Sequence, residues 1–226
     1  MLAILTGISR MSWIYGAASQ LTQTLDDLKV PYAIMGGSAC YLLGSLRSTT
    51  DIDLVVDVSD INGLTVEGLS TALKKIPGFT QVDNDGIGYF IPAIALPDVP
   101  VVPLEIFDPE VWSQRPQYQQ VKTHRINVQL PDGRAAWVFS PAWLLREKIM
   151  SIQGRGYPGT KKFHTDLVDV EFLFSMIKEE DYGVGLLDLS GQQERIDCLR
   201  GFLERKDVIS NVKDKISKVF KKSILM

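Results

Sequence analysis

Between Met35 and Val56 the chain reads MGGSACYLLGSLRSTTDIDLVV. A glycine pair and a serine, followed by two aspartates one residue apart that lead into Leu54-Val55-Val56, constrain the fold more than any other stretch. The apolar run predicts a strand over Ile52 to Val58. On a strand, residues two apart share a face, about 6.5 Å from one another. Asp51 and Asp53 are therefore expected to project to one side. Upstream, Val30 to Met35 reads as a short strand broken by Gly36-Gly37, with Ser38 at the N-cap of a helix from Ala39 to Leu46.

The flanking sequence extends this α/β reading. Ile14, Ala17, Leu21, Leu25 and Leu28 recur at helical spacing, predicting a helix over Ser12 to Leu28, and Leu64 to Ile76 carries a second such pattern. Gly78 to Pro100 reads as short strands around an Asn84-Asp85-Gly86 turn. Val101 to Phe107 reads as a buried strand carrying one acid, Glu105. Val121 to Leu130 and Ala135 to Phe139 flank Pro131-Asp132-Gly133, a hairpin signal. From Ser140-Pro141 the pattern turns helical, with helices expected to about Ile152, over Phe163 to Ile177, Gln192 to Leu203 and Val208 to Phe220. Gly154 to Gly159 is expected as a loop. An α/β portion over residues 1–139 and a helical portion over 140–226 follow.

With 226 residues and 45% hydrophobic content, the chain can bury a core without disulfides. Its net charge of −3 gives no global attraction to nucleic acid. Cys40 and Cys198 lack metal-ligand spacing, and no apolar stretch reaches membrane-spanning length, so a cytoplasmic protein with no membrane partner is expected. His124 and His164 have no partner spacing, and no Ser-His-Asp or Cys-His arrangement can be built.

Paired carboxylates beside a glycine turn suit one chemistry in particular. Attack of a hydroxyl on the α-phosphorus of a triphosphate requires charge neutralisation at the entering and leaving oxygens, which two bound metal ions supply in many phosphoryl-transfer enzymes. Oxygen ligands suit Mg2+ or Mn2+, with substrate phosphates completing the shell. Asp51 and Asp53 are the first candidate metal ligands, and Glu105 the third, also placed to polarise the attacking hydroxyl. Gly36 and Gly37 allow close backbone approach to a nucleoside triphosphate. Ser38, Arg47, Thr49 and Lys148 are the candidate phosphate-binding side chains.

Met35-Gly36-Gly37-Ser38 followed by Arg47-x-Thr49-x-Asp51-Ile52-Asp53 resembles the first motif of the nucleotidyltransferase superfamily, closest to its abortive-infection toxin branch. Leu104-Glu105-Ile106 resembles that branch's second motif, whose glutamate is the third acid, and Arg146-Glu147-Lys148 the third, whose lysine is taken to bind nucleotide. Lys161 to Asp169 resembles the fourth, an acidic helical motif, although Thr165 stands where a basic residue usually precedes the first aspartate. Asp166 and Asp169 are possible accessory residues on that ground. The resemblance implies a mixed sheet with flanking helices, and transfer of a nucleotidyl group to a hydroxyl with release of pyrophosphate. It names no acceptor: RNA or tRNA, a protein side chain and a small molecule all fit.

Each feature also has a structural reading. The aspartates could cap a strand end, Glu105 could be a buried acid paired with Arg47, and Lys148 could be a solvated surface lysine. Asp166 and Asp169, three apart on a helix, could pair with Lys162 or Arg155. The weaker third and fourth motifs leave open a catalytically inactive nucleotide-binding or interaction module. A dinucleotide-binding domain fits poorly, because the third glycine of its fingerprint is missing. From Arg205 to Lys222, seven basic residues face two acids along an apolar stripe that includes Val208, Ile209 and Val212. A docked terminal helix with a solvated basic face is the preferred reading, and an RNA-binding face the sharper one.

Overall fold

The computed structural model of the chain describes residues 2–59, 61, 63–83, 90–97, 100–107, 121–154 and 160–224. The chain divides into two compact units, Met1–Phe139 and Ser140–Met226. The first contains α1 (Leu2–Asp27), β1 (Tyr32–Met35), α2 (Gly36–Leu42), β2 (Ile52–Val56), α3 (Val66–Leu73), β3 (Phe79–Asp83), β4 (Phe90–Ile94), β5 (Val102–Phe107), β6 (Arg125–Gln129) and β7 (Ala135–Phe139). Among the described residues these strands form one seven-stranded sheet in the order β3-β4-β5-β2-β1-β7-β6. The sheet is mixed: β1 runs parallel to β7 and β2 to β5, while β1–β2, β3–β4, β4–β5 and β6–β7 are antiparallel.

Alternation along the strands separates the two faces of the sheet. Tyr32, Ile34, Ile52, Leu54, Val56, Val102 and Leu104 are all buried on one face. The Tyr32 hydroxyl donates to Thr22 Oγ1 at 3.0 Å, so α1 covers this side, burying Ala18, Leu21 and Leu25. Each such large apolar side chain contributes about 1.5–3 kcal/mol on burial, which makes this face the core of the unit. The other face carries Met35, Asp53 and Glu105 at adjoining register positions.

Several boundaries differ from the sequence expectation. The helix after the glycine pair spans Gly36–Leu42 with Met35 at its N-cap, so Ser38 is buried within the first turn rather than capping it. That helix stops before Leu46 because Gly44 adopts φ +106, while Gly44 N–H donates to Tyr41 O and Ser45 N–H to Cys40 O. This is the Schellman arrangement, in which glycine takes the left-handed position without steric cost. Strand β2 ends at Val56, short of Val58, and α1 starts ten residues before Ser12, at Leu2. Strand β5 is only partly buried, and Glu105 on it is exposed. The Asn84-Asp85-Gly86 turn and residues 155–159 lie outside the described residues.

The second unit is helical: α4 (Pro141–Gly154), α5 (Lys161–Ser175), α6 (Gln193–Glu204), α7 (Ser210–Val219) and the short α8 (Lys221–Ile224). Thr160 caps α5 by accepting from Phe163 N–H at 3.2 Å. Trp143, Phe163, Phe202, Ile216 and Phe220 are buried in this unit. Ile209, placed on the apolar stripe by its spacing, precedes α7 and is exposed, whereas Val212, Ile216 and Val219 face inward.

Candidate active site

The register decides which acids meet. Asp53 on β2 pairs with Glu105 on β5 in a parallel ladder and with Met35 on β1 in an antiparallel one. Residues directly opposite one another share a face of the sheet, so the carboxylates of Asp53 and Glu105 project to the same side. Asp51 lies one residue before β2 and is exposed, Asp53 is half-buried, and Glu105 is exposed. Exposure of Glu105 removes the reading of a buried acid paired with Arg47.

Two close approaches tie the glycine turn to this group. A Cβ placed on Gly36, which has φ +64, would overlap the Asp53 carboxylate. A Cβ on Gly37 would overlap the Arg47 guanidinium. Each glycine therefore makes room for one charged side chain. Ser38 Oγ donates to Met35 O at 3.0 Å and accepts from Asp53 N–H at 3.3 Å, which locks the turn to the start of β2. Thr49 Oγ1 donates to Asp51 Oδ1 at 2.9 Å, and Arg47 Nη1 donates to Ser48 O at 3.1 Å. Gly36 and Ser38 thus meet Asp53, Gly37 meets Arg47, Thr49 meets Asp51, and Glu105 stands opposite Asp53 in the ladder.

Among the described residues, no three histidine, cysteine or acidic side chains stand close enough to hold a metal ion by themselves. The donor set nevertheless fits Mg2+ or Mn2+. These hard cations prefer carboxylate oxygens, and Mg2+ is commonly held by only one or two of them, with water and substrate phosphates supplying the rest. Asp51 and Asp53 offer carboxylate oxygens of that kind, and the Asp53 carboxylate occupies the space a Gly36 side chain would fill.

Lys148, Asp166 and Asp169 belong to the second unit and form a cluster of their own. Lys148 Nζ lies 2.8 Å from Asp166 Oδ1 and 2.7 Å from Asp169 Oδ2, joining α4 to α5. Burial pushes the Lys148 ammonium toward lower pKa, but Asp169 and then Asp166 outweigh it and hold the pKa above the ordinary lysine value. Lys148 is not the solvated surface lysine of the structural reading: it pairs with both aspartates, while Arg155 lies outside the described residues. Beside it, Arg146 Nε lies 3.3 Å from Glu147 Oε1, both buried.

A third polar group, in the first unit, left no mark that sequence spacing could reveal. Ser19 on α1 hydrogen-bonds Asp132, and Arg134 Nη1 donates to Ser19 Oγ at 2.6 Å, fastening the β6–β7 turn to α1. Pro131-Asp132-Gly133 signalled the turn but not this long-range partner. A cavity of about 470 Å³ next to it is lined by Tyr15, Gln20, Leu96 and these side chains, and by none of the candidate site residues. Its polar end is neutralised internally, so the carboxylate cluster is the better candidate for chemistry.

The chain is 34% identical to an antigenic nucleotidyltransferase-like protein from Paracoccidioides brasiliensis, whose crystal structure it matches with a TM-score of 0.75 over 92% of this chain and 96% of that one. It belongs to the nucleotidyltransferase-like proteins. No protein-family model and no curated protein matches the sequence. In this nucleotidyltransferase-like chain, Asp53 and Glu105 lie on neighbouring strands of the sheet, Asp51 directly precedes one of them, and the glycine turn follows a third, β1. No described helix is long and apolar enough to cross a membrane. Val212, Ile216 and Val219 of the basic α7 are buried and Gly183 N–H donates to Val219 O at 2.7 Å, so this helix is docked within the helical unit.

Proposed function

We propose that the chain is a metal-dependent nucleotidyltransferase of the abortive-infection toxin type, moving a nucleotidyl group from a nucleoside triphosphate to a hydroxyl acceptor. The carrying observation is the register Asp53↔Glu105 beside the Gly36 turn, with Asp51 two residues upstream. Like charges directly opposite on neighbouring strands are destabilising by about 0.2–1 kcal/mol. Packing alone offers no reason for such a pair on two central strands, and a bound cation does.

In this reading Asp51 and Asp53 hold Mg2+ or Mn2+, which when bound neutralises charge on the triphosphate oxygens. Gly36 and Gly37 present backbone without side-chain obstruction, and Arg47, lying over Gly37, offers its planar guanidinium to phosphate. Glu105 accepts the proton of the acceptor hydroxyl as its oxygen bonds the α-phosphorus and the α–β phosphoanhydride bond breaks, releasing pyrophosphate. Lys148, committed to Asp166 and Asp169, orders the α4–α5 pair in the helical unit, and holding that pair together is the accessory role of the two acids. The acceptor belongs to no class that these residues distinguish.

The test is incubation with labelled triphosphates, Mg2+ and cell extract, followed by assay of pyrophosphate and of labelled product. Wild type should release pyrophosphate, and Asp51→Asn combined with Asp53→Asn should abolish release while leaving the melting temperature within a few degrees. Unchanged turnover in the double variant would refute the assignment. Triphosphate binding without pyrophosphate release across all acceptors would instead favour a binding module.

A further inference from the structure

Sequence spacing suggests that Thr49 meets phosphate, but its hydroxyl points elsewhere. Thr49 Oγ1 donates to Asp51 Oδ1 at 2.9 Å, and the next acceptor, Asp51 O, lies at 3.5 Å. The single hydroxyl proton is thus directed to one carboxylate oxygen, which leaves Asp51 Oδ2 for another partner. Asp53 is anchored differently: its backbone N–H donates to Ser38 Oγ, and its carboxylate is seated against Gly36. Asp51 is exposed and lies outside the β-ladder, so neither packing nor strand pairing fixes its side chain. The Thr49 hydroxyl is the group that does so among the described residues.

We infer that Thr49 is a positioning residue that orients the Asp51 carboxylate for a divalent cation, rather than a phosphate ligand. The inference rests on the metal-site reading above. A carboxylate with one oxygen held by a hydroxyl has fewer rotamers to lose on binding a cation, and hydrogen-bonding partners of metal ligands commonly change affinity by about 10–100-fold when removed. Threonine supplies the donor from a β-branched side chain whose χ1 is already restricted, so little further entropy is lost in holding it.

The experiment titrates Mn2+ alone into the full chain and follows the free-ion signal by electron paramagnetic resonance, so that no turnover is needed. Thr49→Val keeps the shape and removes the hydroxyl, and it should weaken Mn2+ binding about tenfold. Thr49→Ser keeps the hydroxyl and should bind within about twofold of wild type. Circular dichroism and melting of each variant verify the fold. If Asp51→Asn with Asp53→Asn leaves Mn2+ binding unchanged, the metal site itself is wrong, and this inference falls with it. If that double variant loses Mn2+ while Thr49→Val binds as wild type does, the site stands and the role of Thr49 is refuted. Equal losses in Thr49→Val and Thr49→Ser would also overturn it, because the hydroxyl would then not be the cause.

Discussion

Replacing Gly36 by alanine tests the geometry at its tightest point. The backbone there has φ +64, a conformation that costs an L-residue about 1–2 kcal/mol. The new methyl would also overlap the Asp53 carboxylate, which must leave its place. Forcing that side chain off its rotamer adds about 0.5–1.5 kcal/mol. The two effects together predict a loss of about 1.5–3.5 kcal/mol, or a fall in melting temperature of about 3–14 °C for a chain of this size. Gly37→Ala is the internal control. Gly37 has no positive φ, and the atoms its Cβ would meet first are the far end of the long Arg47 side chain, which can move, so its cost should be smaller. A third variant separates the two contributions. In the Asp53→Ala background, Gly36→Ala should keep its backbone cost and lose the side-chain part, recovering about 0.5–1.5 kcal/mol in the double-mutant cycle. Urea denaturation followed by circular dichroism reads wild type, the three single variants and the double variant. If Gly36→Ala is no more destabilising than Gly37→Ala, or if Asp53→Ala gives no relief, the placement of Asp53 against the turn is wrong.

Other perturbations act on the polar clusters. Lys148→Met removes the cation between two buried carboxylates and should destabilise the helical unit by about 3–5 kcal/mol in urea titration. Because the folded-state pKa of Lys148 is raised, the stability it contributes is fully present below the ordinary lysine value of 10.5 and is lost as pH rises through the raised value; this alkaline limb should vanish in Lys148→Met. Ser38→Ala leaves the Asp53 N–H and the Met35 carbonyl without the hydroxyl they share and should cost about 1–3 kcal/mol, read as a shift in the urea midpoint at unchanged slope.

What was legible in the sequence follows from which forces are local. Strand alternation and glycine breaks are local, so the Met35–Val56 segment announced its strands and its turn; Asp51 falls one residue before β2, so alternation fixes the face of Asp53 but not that of Asp51. Helix ends depend on backbone capping, and Gly44 marked the stop of α2 in a way that apolar periodicity ran straight past. Partners between distant segments were not legible. Nothing near Lys148 names Asp166 and Asp169, because the pairing depends on how α4 and α5 pack; the same holds for Ser19 with Asp132.

The hydroxyls of Ser38 and Thr49 show the same limit at the site itself. Sequence spacing put both beside a phosphate-shaped turn, yet each is spent on an aspartate, one through the backbone and one through the side chain. Those bonds tie the start of β2 to the glycine turn and hold one carboxylate oxygen of Asp51. A sheet selected for stability alone would not set Asp53 beside Glu105 or require a left-handed glycine to seat a carboxylate. Local rules broken together on one face of an otherwise well-packed sheet are what the proposed function accounts for and packing does not.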